Sequence, residues 1–133
     1  MRELDQAWNE RRWDDVGDLV SERIVAHVDG RGAIEGRSAY LEMERAFCGT
    51  CPDAQRHSEP YTSIFASADG RRTAAIARLT GTLGNQGSGA AGTFDVCTCI
   101  VCTWTNGMVT EQYRFAEVPG ALLAIAVATP GAP

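Results

Sequence analysis

Residues 94–115 read FDVCTCIVCTWTNGMVTEQYRF, and this stretch decides the fold. Phe94 to Thr105 is dominated by Val, Ile, Thr, Cys and aromatic residues, the make-up of a long strand. Asn106-Gly107 follows, the dipeptide best suited to a type I′ turn, whose two central residues must both take positive φ. Met108 to Phe115 then returns as the partner strand. Side chains alternate across a strand, so Gln112 and Arg114 share one face while Glu111, Tyr113 and Phe115 share the other. By the same rule Cys97, Cys99, Val101 and Thr103 lie together.

Upstream of this hairpin the alternation continues. Asp69-Gly70 is a second hairpin turn, joining a strand predicted over Arg56 to Ala68 to one over Arg72 to Leu83. Gly84 to Gly92 is glycine-rich and polar and reads as a loop, with the wider Gly81 to Gly92 stretch a candidate lid at a pocket mouth. These segments make a four-strand antiparallel meander. The first third of the chain is different. Leu4, Ala7 and Trp8, then Val16, Leu19 and Val20, recur at helical spacing with a break near Arg12–Asp14. Ile24 to Val28 is a short strand. A third helix opens at Gly36-Arg37-Ser38, with Ser38 as candidate N-cap, and Gly49 and Pro52 stop it. Its apolar stripe is Tyr40, Leu41, Met43, Ala46 and Phe47. Ala121 to Ala126 reads as a short closing helix, and residues 129–133 as a tail after a single domain expected over 1–128. Helices segregated from an antiparallel sheet give an α+β fold. A long twisted meander must curl, so the expected shape is a cone: a curved sheet wrapped by three N-terminal helices around an apolar pocket, where ligands bind.

The chain has 133 residues and a net charge of −5, enough for one core and of the wrong sign for a nucleic-acid surface. The basic pairs Arg11-Arg12 and Arg71-Arg72 read as solvated. No apolar run reaches the roughly 20 residues needed to span a bilayer, and the charged N-terminus does not read as a signal peptide. A cytoplasmic chain with no membrane partner is the expectation. The five cysteines are odd in number and are expected to be reduced thiols. Cys48 and Cys51, and Cys97, Cys99 and Cys102, have spacings that invite a zinc reading. On a strand, however, Cys102 points away from Cys97 and Cys99, so no metal is expected.

Six motifs, in order, resemble the SnoaL-like polyketide cyclases of the nuclear transport factor two superfamily. They are Ala7-Trp8-Asn9-Glu10 followed by Trp13-Asp14-Asp15-Val16, then Ile24-Val25-Ala26-His27, and Ile34-Glu35-Gly36-Arg37-Ser38-Ala39-Tyr40. Leu79-Thr80-Gly81-Thr82 and Asn106-Gly107-Met108-Val109-Thr110-Glu111 complete the set. The resemblance covers nearly the whole chain. It implies a fold shared by cyclases, ketosteroid isomerase, limonene epoxide hydrolase, dehydratases and binding proteins, so the function must be argued from the site. In the cyclases an acidic residue stands where this chain has Arg114, and a His, with a Gln two residues before it, where it has Ile100 and Thr98. The family's acid–base pair is therefore absent here, because an arginine stays protonated. Ketosteroid isomerase carries a proton-abstracting Asp near Val28 and Asp29. Limonene epoxide hydrolase uses an Arg-x-Asp where this chain has Arg78 and Thr80.

The candidate catalytic residues are accordingly Arg114, Asp29, His27 and His57. If the family register holds, Arg114 faces inward and requires a carboxylate or an anionic ligand. It would then clamp a carboxylate, enolate or phenolate oxygen; the alternative is a solvent-facing Arg, or one paired with Glu111 or Glu117. Each histidine has a near-neutral intrinsic pKa suited to proton transfer. Trp8, Tyr40, Met43 and Phe47, with Arg78, Thr98, Ile100 and Gln112, are candidates for binding a small apolar or polycyclic ligand. The expected function is a cofactor-free small-molecule enzyme of secondary metabolism: a cyclase, isomerase, dehydratase or hydrolase. The alternatives are a non-catalytic binding domain and an interaction protein. A homodimer through the convex sheet face is also expected, because an apolar exposed face calls for a partner.

Overall fold

A computed structural model describes residues 1–29, 32–83 and 92–116. Helices α1 (Arg2–Asn9) and α2 (Trp13–Asp18) lead into strand β1 (Val20–Val28), strand β2 (Gly32–Glu35) and helix α3 (Arg37–Thr50). Strands β3 (Gln55–Arg56), β4 (Ser63–Ala66), β5 (Arg72–Leu83), β6 (Gly92–Thr105) and β7 (Met108–Ala116) follow. The predicted closing helix at Ala121 to Ala126, the tail, and residues 84–91 of the glycine-rich loop lie outside the described residues.

The strands form one curved, unclosed sheet in the order β2-β1-β7-β6-β5-β3, with β4 also on β5. The meander β4-β5-β6-β7 is as the alternation dictates. β5 and β6 run in continuous register from Arg72↔Thr103 to Leu83↔Gly92. Asn106 and Gly107 take φ of 52° and 78°, the type I′ turn that the dipeptide encodes. β1 lies parallel to β7, pairing Ala26 with Gln112 and Val28 with Arg114. That pairing brings the first strand of the chain beside the last described one.

Alternation puts Ile24 and Ala26, Ala75 and Ala77, and Phe94, Val96, Thr98, Ile100 and Cys102 on the buried inner face. The stripes of α1 (Leu4, Ala7, Trp8) and α3 (Tyr40, Met43, Cys48) close over it in the same cluster. Trp8 and Tyr40 are the largest fully buried side chains. Burying a large apolar side chain contributes about 1.5–3 kcal/mol, so these helices owe their place chiefly to their inner stripes.

Several local expectations are corrected. The strand predicted over Arg56 to Ala68 is two short strands separated by a segment containing a cis Glu59–Pro60 bond. Pro60 has no N–H to give a ladder, and the break turns Tyr61 inward to 7% exposure. β1 begins at Val20 rather than Ile24, and β2 carries no sequence signal because its residues are mostly exposed and show no alternation. Ser38 does not cap α3: Gly36 precedes the helix with φ of 93°, and no side chain caps it. Gly92 belongs to β6, and Gly81 to Leu83 to β5. Arg11 is not merely solvated. It adopts φ of 58° at the end of α1, donates to the carbonyls of Trp8, Pro52 and Ala54, and lies 4.9 Å from the Trp8 ring.

Candidate functional site

The inner face carries charge as well as apolar side chains. On β7, Arg114 points inward with its side chain 17% exposed, and its Nη2 donates to Glu44 Oε1. Glu44 comes from the buried stripe of α3, one turn after Tyr40, and is 1% exposed. Its second oxygen accepts the Trp8 indole N–H at 2.5 Å and lies 3.6 Å from Arg56 Nη2. Arg56, from β3, stacks 4.1 Å over the Trp8 ring and reaches Asp5 Oδ1 at 3.4 Å. Asp5, on the buried side of α1, accepts the Tyr61 hydroxyl at 2.5 Å. Two carboxylates and two guanidiniums thus alternate through the interior, each charge beside an opposite one. Such closure is what makes buried ions tolerable.

Gln112 and Tyr40 complete the polar contacts of Arg114. Arg114 Nη2 donates to Gln112 Oε1 at 2.8 Å and to the Tyr40 hydroxyl at 3.3 Å. Gln112 Nε2 approaches Cys102 Sγ at 3.6 Å. Nε of Arg114 is the only buried side-chain nitrogen or oxygen without a hydrogen-bond partner among the described residues.

These surroundings set protonation. Burial alone would raise the Glu44 pKa, but the Arg114 and Arg56 charges and the hydrogen bonds from Arg114 and Trp8 prevail and hold it below the usual carboxylate range. Burial and the Glu44 charge push the Tyr40 hydroxyl up to about 12, so it remains a donor at neutral pH. Burial and Asp5 raise Tyr61 likewise. Burial lifts Cys48 to about 11 and also raises Cys51 and Cys102, which makes them small apolar core residues rather than nucleophiles.

With this geometry in place, the family model for SnoaL-like polyketide cyclases matches residues 1–122. The chain belongs to that family. Among solved structures it is similar to Bal32a from a soil-derived mobile gene cassette, at 24% identity and a TM-score of 0.73, covering 87% of this chain and 85% of that one. A protein from Xanthomonas campestris pv. campestris, provisionally described as a polyketide cyclase, gives 15% identity and a TM-score of 0.79 over 93% and 92% of the two chains. IdmH from Streptomyces antibioticus, described in the same provisional way, gives 16% identity and a TM-score of 0.77 over 93% of each. Identities this low establish the fold alone. A search of curated proteins found no match.

Within this SnoaL-like fold, the sequence candidates separate into two groups. Arg114, Gln112, Thr98, Ile100, Trp8, Tyr40 and Met43 lie on the inner side, with Phe47 half-buried against the same core. Thr98 is occupied by a bond to the Ala77 carbonyl at 3.0 Å. The other candidates do not converge with them. Arg78 is on the outer face, because Ala75 and Ala77 take the inner positions, and it forms a forked pair with Asp95 at 3.0 and 2.6 Å. His57 is exposed and bonds Thr80 Oγ1 at 2.8 Å. His27 is on the outer face, 3.3 Å from Glu111 and stacked 4.2 Å from Tyr113. Asp29 is exposed; only its backbone N–H meets Arg114, at the carbonyl, 3.2 Å away. The carboxylate that partners Arg114 is Glu44, not Glu111, which β7 turns outward.

Asp5, Glu44, Arg56 and Tyr61 escaped the sequence reading. For Glu44 and Asp5 a signal existed: each carboxylate lies within a helical apolar stripe, Leu4-Asp5-Ala7-Trp8 and Tyr40-Met43-Glu44-Phe47. No comparable signal marks Arg56 or Tyr61, which the irregular β3–β4 segment brings inward. Cys97 and Cys99 share the outer face and Cys102 the inner, as alternation requires. Among the described residues no group of three His, Cys, Asp or Glu is placed to hold a metal ion, and no helix is long and apolar enough to cross a membrane.

Proposed function

We propose that the protein is a cofactor-free small-molecule enzyme whose reaction develops negative charge on a ligand oxygen held at Arg114. The observation that carries this reading is the buried, unpartnered Nε–H of Arg114 beside the Tyr40 hydroxyl and Gln112. An enolate or phenolate oxygen there would meet a permanent cation and a hydroxyl that stays protonated, both fixed before the reaction. This is the arrangement by which an enzyme stabilises an oxyanion. The chemistry would be proton transfer at a carbon next to a carbonyl, as in a cyclisation, isomerisation or dehydration of secondary metabolism, on an apolar or polycyclic substrate. Glu44 serves as the anchor that orients the guanidinium. With His27, His57 and Asp29 directed elsewhere, a water molecule takes the proton.

One observation favours a second reading, a binding domain without turnover. Both inner carboxylates are fully committed, Glu44 to Arg114, Arg56 and Trp8, and Asp5 to Arg56 and Tyr61. A general base must reach its proton, and neither is free to do so. Solvent-deuterium exchange into a panel of bicyclic aromatic ketones, followed by NMR, separates the two. Protein-dependent exchange that falls at least 100-fold in Arg114→Met supports the enzyme; saturable binding without exchange supports the binding domain; neither binding nor exchange refutes both.

We further propose a cytoplasmic homodimer paired through the outer face that carries Cys97, Cys99, Val101 and Thr103, next to the exposed Phe115. A monomer at micromolar concentration in light scattering would exclude the dimer.

A further inference from the structure

A buried arginine beside a buried carboxylate ordinarily forms a two-point fork, Nε and Nη2 against both oxygens. Arg114 and Glu44 do not. Nη2 meets Oε1, while Nε, the neighbouring donor of the same fork, has no partner among the described residues. The acceptor that would complete the fork is Glu44 Oε2, which instead accepts the Trp8 indole N–H at 2.5 Å and lies 3.6 Å from Arg56 Nη2. Arg56 is itself fixed by Asp5 at 3.4 Å and by the Trp8 ring at 4.1 Å. Nη2 of Arg114 is shared among Glu44, Gln112 and Tyr40. Arg114 therefore keeps one buried N–H unmade, and a buried donor left so is costly unless something else uses it.

We infer that Trp8 and Arg56 are positioning residues that hold Glu44 away from Arg114 Nε, reserving that one N–H for a ligand with a single acceptor oxygen. This rests on the functional reading above and narrows it. A phenolate, an enolate or a ketone oxygen needs one donor. A carboxylate ligand binds best to a two-donor fork, and both forks of the guanidinium, Nε with Nη2 and Nη1 with Nη2, need the Nη2 already taken by Glu44, Gln112 and Tyr40. The site therefore selects phenol- or enol-type ligands over carboxylic acids of the same size.

The test has an arm that needs no ligand. In ¹⁵N-labelled protein, the Arg114 Nε–H resonance, assigned through its own side-chain carbons, reports whether that proton is hydrogen-bonded. Trp8→Phe removes the indole donor and frees Oε2, so the Nε–H signal is expected to move downfield and exchange more slowly. Benzothienylalanine at position 8 keeps the bicyclic shape, lacks the N–H and should do the same, which covers a Trp8→Phe protein that folds poorly. A signal unchanged in both proteins overturns the positioning role. The second arm uses 4-nitrophenolate and 4-nitrobenzoate, both ionised. The folded wild type is expected to bind the phenolate at least about tenfold more tightly, the scale of one hydrogen bond to a charged group, and the Trp8 variants to lose that preference. Equal affinities overturn the ligand class. If neither probe binds, the ligand class and the functional reading fall together, while the Nε–H signal still decides whether Trp8 and Arg56 hold Glu44 in place.

Discussion

Replacing Glu44 by Gln removes one charge from a closed set of four: Asp5 and Glu44 against Arg56 and Arg114. The amide that replaces the carboxylate still offers one acceptor oxygen, so the shape and one hydrogen bond survive. What is lost is the only negative charge between two guanidiniums whose side chains are 6% and 17% exposed. At an effective dielectric of about 20, opposite charges 3.6 Å apart attract by roughly 5 kcal/mol. Part of that returns because the carboxylate no longer has to be desolvated. Breaking a buried pair from one side costs about 3–5 kcal/mol, and this range is expected for Glu44→Gln. For a domain of this size it lowers Tm by roughly 10–20 °C. Urea unfolding with a constant m-value measures the cost directly. The double variant Glu44→Gln/Arg114→Met restores the charge balance and should be more stable than the sum of the two single changes predicts, by about 2 kcal/mol. A Glu44→Gln protein within about 0.5 kcal/mol of wild type, or strict additivity in the double variant, would refute the claim that these charges hold one another in place.

The same carboxylate predicts an acid limb. Its folded pKa lies below the ordinary 4.5, so the unfolded chain takes up the proton first. Its contribution is intact above about pH 4.5 and is lost as pH falls through the depressed value; unfolding followed against pH should show a shallower acid limb in Glu44→Gln. Tyr40 acts at the other end. With its pKa raised from 10.0 to about 12, its contribution is complete below pH 10 and disappears between pH 10 and about 12. That contribution is at most about 3 kcal/mol, and Tyr40→Phe should remove this alkaline step from the stability profile. A Cβ on Gly81 would stand 2.7 Å from Phe94 Cζ and 3.3 Å from the Ala54 Cα. Gly81→Ala should therefore cost about 1–3 kcal/mol in urea unfolding by overpacking. Arg78→Met breaks only an exposed pair, its side chains 55% and 54% exposed. It should change stability by less than about 1 kcal/mol and leave ligand binding, measured by calorimetry, as in wild type.

The parts legible in the sequence are those written in local pattern. Asn106-Gly107 specified its turn because few residue pairs tolerate two positive φ angles. The alternation of residues 94–115 specified that Gln112 and Arg114 share a face, and the family resemblance implied that this face looks inward. The candidates that do not converge, Arg78, His27, His57 and Asp29, stand out by side-chain chemistry alone, and strand parity places Arg78 and His27 on the outer surface. β2 left no trace because an exposed edge strand needs no alternation. The continuous strand read over Arg56 to Ala68 is wrong despite a signal against it, Pro60, a residue that a ladder interior does not accept.

By itself the sequence determined the α+β class, the meander and which side chains of its strands share a face, since period and turn chemistry act between residues adjacent along the chain. Only the tertiary structure decided which carboxylate pairs with Arg114, and that Trp8 and Arg56 hold its second oxygen. Glu44, Arg114, Arg56 and Asp5 stand on four different elements, and electrostatic pairing depends on distance through space, which no spacing along the chain encodes.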